Sequence, residues 1–87
     1  MAKINQDLNI GINLKKIRKS KGYTQKDLCS KLDLMGRPTS QSTYAQIETG
    51  KRNIFLSDLI ALKRILNVSY DEIFDGLEPV DKSSKLV

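Results

Sequence analysis

The chain has 87 residues and a formal charge of +5, from 15 Lys/Arg against 10 Asp/Glu. That length holds one core and leaves no room for a separate catalytic or ligand-sensing domain, and a hydrophobic share of 39% with 29% charged residues marks a globular chain, not a disordered one. There is no histidine and one cysteine, Cys29, so His-based zinc sites, Ser-His or Cys-His catalysis and an internal disulfide framework are excluded; no enzyme activity, metal or cofactor is expected.

The charge is uneven. Residues 1–52 carry 11 Lys/Arg and 4 Asp/Glu, whereas residues 53–87 carry 4 and 6. Such asymmetry fits a polyanion-facing half on a near-neutral support, or simply a solubilising surface. No apolar run exceeds the four residues Leu59 to Leu62, so neither a transmembrane helix nor a signal peptide is expected, and the chain is placed in the cytoplasm.

Strand-like alternation is almost absent, and five helices are predicted. The first spans 8–21, with Asp7 as its cap, Ile10, Leu14 and Ile17 on one face and Gly22 as its terminator. Thr24 caps the second, with Asp27 as the reciprocal capping-box acid, Tyr23 as a staple onto Leu28, and Leu28, Cys29 and Leu32 as the buried stripe. Residues 33–39 break the pattern through Gly36 and Pro38, and Leu34 and Met35 are expected to tuck back onto the core. Ser40 caps a third helix, 41–49, with Tyr44 and Ile47 inward and Gly50 at its end. Ser57 caps the fourth, running to about Leu66 before Asn67. Ser69 and Glu72 form a second capping box for a short fifth helix through Phe74. Residues 1–74 are read as one domain and 75–87, with Gly76, Pro79 and a Ser-Ser pair, as a mobile tail.

The second and third helices form a helix-turn-helix candidate. The third opens Ser40-Gln41-Ser42-Thr43. Gln pairs with adenine N6/N7 and Ser with several base edges, and a recognition helix exposes such residues near its start. The same residues also suit an ordinary solvated helix start. In the basic run Lys15, Lys16, Arg18, Lys19, Lys21 the lysines suit a solvated outer face first, with some adding to the field around DNA.

From Ile10 to Phe74 the chain resembles the lambda-repressor and Cro-type helix-turn-helix regulators, also called the xenobiotic-response-element family. The matching stretches run Leu14 to Gln25, Leu28 to Leu32, Ser42 to Arg52 and Leu66 to Phe74. The resemblance implies an all-α, compact five-helix fold and a sequence-specific regulator, a repressor in most readings, that occupies a double-stranded DNA operator, commonly as a homodimer. It implies base reading by Gln41, Ser42 and Gln46 and backbone contacts by Gln25, Thr43, Thr49, Lys51 and Arg52, with Gln25 also bracing the third helix. It further implies a structural pair between Arg18 and Glu48. An antitoxin that also binds a toxin is the alternative function within the same fold, and a protein-interaction module without DNA binding is a third. Two departures stand out. The 33–39 connection exceeds the usual turn of three to four residues, by about five against the family pattern, and its Arg37 suits either a phosphate contact or a solvated loop charge. Cys29 replaces a common Ala and suits a small buried thiol or a redox sensor. Ile73, Phe74, Leu77, Val80, Leu86 and Val87 are candidates for a dimer interface, for the end of the core, or for neither.

Overall fold

The computed structural model of the chain describes residues 3–4 and 8–79. In chain order its elements are β1 (Lys3–Ile4), α1 (Gly11–Ser20), α2 (Gln25–Leu34), α3 (Gln41–Glu48), β2 (Ile54–Phe55), α4 (Leu56–Leu66) and α5 (Tyr70–Ile73). The five expected helices are present, and the fold is the mostly helical one that the resemblance implies.

Helix ends follow local chemistry. At α2, Thr24 Oγ1 accepts from the Asp27 amide at 3.0 Å and the Asp27 carboxylate accepts from the Thr24 amide at 2.8 Å, a complete capping box. Four helices stop on the same paired carbonyl closure, with the amides of Gly22, Gly36, Gly50 and Asn67 on one carbonyl and the next residue's amide on another. All four residues have positive φ, and Asn67, at 55°, is the only non-glycine among the described residues that does.

Several boundaries differ from expectation. α1 begins at Gly11, where the Asn9 side chain accepts the free amide at 2.9 Å; Asp7 lies outside the described residues. α2 continues to Leu34, so the connection to α3 is 35–40. Leu34 is 86% exposed and Met35 is also exposed, contrary to the expected packing. Leu34 follows Leu32 by about 200° around the helix, so it faces away from the buried stripe. Glu48 closes α3, with Thr49 as its cap. α4 starts at Leu56 directly from β2, without a side-chain cap, so Ser57 is not its cap. β1 and β2 pair antiparallel, Lys3 opposite Phe55 and Ile4 opposite Ile54. Two-residue strands are too short for alternation to reveal. α5 ends at Ile73, with Ser69 Oγ accepting from the Glu72 amide at 3.2 Å.

The core gathers Leu14 of α1, Leu28 and Leu32 of α2, Tyr44 and Ile47 of α3, Leu59, Leu62 and Leu66 of α4, and Ile73 of α5. Each such aliphatic side chain contributes about 1.5–3 kcal/mol of burial. Cys29 is half-buried at the edge of this core. Beyond α5 the Asn13 side-chain amide donates to the carbonyls of Ile73 (2.8 Å) and Asp75 (2.9 Å), and Leu77 packs on the core. Phe74 stays exposed; Val80, Leu86 and Val87 lie outside the described residues.

Candidate nucleic-acid interface

α2 ends on the Gly36 closure, and α3 forms after Pro38 where Ser40 supplies a cap, its Oγ accepting from the Thr43 amide at 3.2 Å. Tyr44, Ile47 and Glu48 are buried, Thr43 and Ala45 half-buried, and Gln41, Ser42, Gln46 and Thr49 exposed. At 100° per residue, Ser42, Gln46 and Thr49 fall within about 60° of one another, forming one outward ridge. Gln41 lies at the helix tip, about 140° from Gln46.

This ridge rests on a buried charge cluster. Glu48 is the last residue of α3. Arg18 of α1 donates to it twice, Nε to Oε2 at 2.7 Å and Nη2 to Oε1 at 3.1 Å, and its Nη1 donates to the Tyr23 carbonyl at 2.9 Å. Gln25, the first residue of α2, donates from Nε2 to Glu48 Oε1 at 3.0 Å. One carboxylate thus ties the first three helices together. Burial opposes its charge, but the Arg18 and Gln25 donors outweigh it and hold the carboxyl below its ordinary value. The Tyr44 hydroxyl is fully buried beside this pair without a hydrogen bond, and burial pushes its titration far up. Burial, then the Glu48 charge, also raises the Cys29 thiol and so disfavours its thiolate form.

Gly11 sets how closely α1 approaches. A Cβ there would run into the backbone carbonyl oxygens of Ile47 and Glu48, which cannot move aside without displacing α3. The α3 terminus then turns outward at Gly50, with the Lys51 amide on the Gln46 carbonyl at 2.9 Å. Lys51 and Arg52 are exposed past that turn, and Arg52 Nε donates to Gln46 Oε1 at 3.0 Å. The Thr49 hydroxyl donates to the Gln46 carbonyl at 3.1 Å, and Thr43 Oγ1 accepts from Ser40 Oγ at 2.9 Å.

Two clefts flank the ridge. One, of about 520 Å³, lies between α1 and α3 and joins Lys15, Lys16, Gln25 and Thr49. The other, of about 330 Å³, joins Ser40, Thr43, Arg52, Phe55 and the pair Arg37–Asp58. The base-reading candidates Gln41, Ser42 and Gln46 therefore stand between two shoulders, with Gln25 on one side and Thr43 and Arg52 on the other, and Thr49 at the edge between the ridge and the first cleft. Arg37 lies on the second shoulder, but its Nε is held by Asp58 at 2.7 Å. Lys15, Lys16, Gly11 and Asp58 belong to this neighbourhood and carried no assigned role in the sequence. For Lys15 and Lys16 the basic run was the available signal; for Gly11 and Asp58 no local pattern pointed to a role.

A family profile described as helix-turn-helix matches residues 14–73. The chain is also similar to the control protein C.MunI of Mycoplasma sp, with 32% identity over 72 residues, 82% of this chain and 90% of that protein. No solved structure matches. Among the described residues no helix is long and apolar enough to cross a membrane.

Proposed function

The chain belongs to the Cro/C1-type helix-turn-helix family of DNA-binding transcriptional regulators, and from that premise we propose that it is a repressor acting from an operator whose major groove is read by α3. The observation that carries this reading is the exposed polar ridge of α3 on its buried Arg18–Glu48–Gln25 brace. A rigid support lets short polar side chains meet base edges in one register.

In this reading Gln41, Ser42 and Gln46 contact base edges, and Gln25, Thr43, Thr49, Lys51 and Arg52 contact the phosphate backbone. Phosphate contacts position the domain and base contacts select the site. Lys15 and Lys16 add positive potential on the α1 shoulder. Residues 1–74 act as the DNA-binding unit and 75–87 as a C-terminal tail whose start is anchored to that unit through Asp75 and Leu77, and the protein works in the cytoplasm.

Two copies bind a palindromic operator as a homodimer, with the exposed Tyr70 and Phe74 beside α5 as the apolar centre of contact. The relative's designation as a control protein favours a regulator over an antitoxin, so a toxin is not among the partners proposed. A gel shift with promoter DNA flanking the gene tests the function. Retardation of that fragment, resisting an excess of unrelated DNA, is expected; equal retardation of both would refute sequence-specific control.

A further inference from the structure

We propose that Arg37 is a positioning residue that fixes the start of α3 through Asp58, and not a phosphate contact. The inference rests on α3 being the reading helix. A short turn sets the angle between two helices by its own stiffness, but six residues, 35–40, separate α2 from α3 here. Side-chain contacts must then help to fix the start of α3, beside the packing of Tyr44 and Ile47 on the core.

The connection is tied at each step. The Arg37 amide donates to the Leu32 carbonyl at 2.9 Å, closing α2, and the Thr39 hydroxyl donates to the Arg37 carbonyl at 3.1 Å. The side chain then crosses to α4. Its Nε meets Asp58 Oδ1 at 2.7 Å, and its guanidinium lies over the Phe55 ring, 6.0 Å from the centroid. The pair is largely withdrawn from water, with side-chain exposures of 25% and 12%. Pro38 follows at once and Ser40 caps α3, so the clamp sits three residues before the cap. α3 itself packs on α1 and α2, while α4 packs on α2. Arg37 therefore supplies a link from the α4 terminus to the start of the reading helix.

The competing role is disfavoured by charge. Turning Arg37 to a phosphate would leave the Asp58 carboxylate nearly buried, without this partner, and close to a polyanion. Removing Arg37 from this part-buried pair leaves the less exposed Asp58 charge uncompensated, a cost that rises with burial, whereas a single phosphate contact contributes a modest, salt-sensitive increment.

Two variants separate the roles because they predict opposite outcomes. Asp58→Asn keeps an acceptor but removes the charge. If Arg37 positions α3, affinity for the parent's best site falls by about tenfold and the selected consensus relaxes, with the salt slope unchanged. If Arg37 serves a phosphate, releasing it tightens binding and steepens the slope. Arg37→Lys keeps the positive charge but loses the planar fork and its stacking on Phe55. Positioning predicts weaker binding and a relaxed consensus; a phosphate contact predicts little change. Both variants and the parent chain enter one selection from randomised duplex DNA, with thermal unfolding run alongside. Tighter binding by Asp58→Asn, or a parental consensus from both variants, overturns the clamp. If Asp58→Asn fails to fold, Arg37→Lys decides. A parent that enriches no DNA overturns the reading role of α3, and the clamp's role falls with it.

Discussion

Replacing Glu48 by Ala tests the brace under α3 at its most connected atom pair. The carboxylate is 1% exposed and accepts three hydrogen bonds, two from Arg18 and one from Gln25. Its removal leaves the Arg18 guanidinium, 8% exposed, with the Tyr23 carbonyl as its remaining acceptor among those bonds, and leaves the Gln25 amide without this one. Stranding a buried charge costs about 3–5 kcal/mol, against about 5–15 kcal/mol for the whole stability of a small domain. At about 4–8 °C per kcal/mol for a domain of this size, the melting temperature should fall by more than about 12 °C. The assay is thermal unfolding by far-UV circular dichroism without DNA, so DNA contacts play no part. Glu48→Gln keeps an acceptor and should lose less. A Glu48→Ala chain melting within about 3 °C of the parent would refute the claim that this carboxylate holds the three helices together.

Gly11→Ala should destabilise by about 1–3 kcal/mol or more, because the new methyl meets carbonyl oxygens of α3 that cannot rotate away; unchanged denaturant unfolding would show that α1 shifts freely. Glu48 and Asp27 are both held below their ordinary carboxyl values in the folded chain, Asp27 chiefly by the Thr24 amide. Their contribution is therefore fully present above the unfolded value near about 4 and fades as pH falls through the folded values. Acid titration of stability should show a steeper loss below about pH 4.5 in the parent than in Glu48→Gln, and identical curves would contradict the assignment. The Cys29 thiol, raised by burial and then by Glu48, should react with a thiol reagent near neutral pH more slowly in the folded than in the unfolded chain; equal rates would place it in solvent.

What the sequence disclosed was mostly local. The Thr24–Asp27 box and the Ser40 cap depend on residues three apart, so their chemistry is visible in a linear reading. The helix stops at Gly22, Gly50 and Asn67 are equally local. The fold and the Arg18–Glu48 pair came through family resemblance, because a contact across 30 positions leaves no periodic trace. The Arg37–Asp58 link spans 21 positions and lies in the extended connection, where neither spacing nor resemblance pointed to it. Gly11 carries no local signal, because its constraint comes from the α3 carbonyls, more than 30 positions away in sequence. The early start of α4 reflects the β1–β2 pairing, which delivers Phe55 straight into the helix and bypasses the Ser57 signal.

The central claim is that Gln41 at the tip of α3 and Ser42 and Gln46 on its exposed ridge select the operator while Lys51 and Arg52 past the helix only position the chain. Selection from randomised duplex DNA, followed by titration of the best site across salt, compares Gln41→Ala, Gln46→Ala and Lys51→Ala with the parent. Gln41→Ala and Gln46→Ala should each cost about 1–3 kcal/mol on the best site and relax the preference at one base pair. Lys51→Ala should weaken good and poor sites alike and reduce the magnitude of the salt slope by about one. If both Gln variants return the parent's consensus unchanged, the 35–40 connection has turned a different surface to the groove, and the assignment of the α3 ridge as the reader is contradicted.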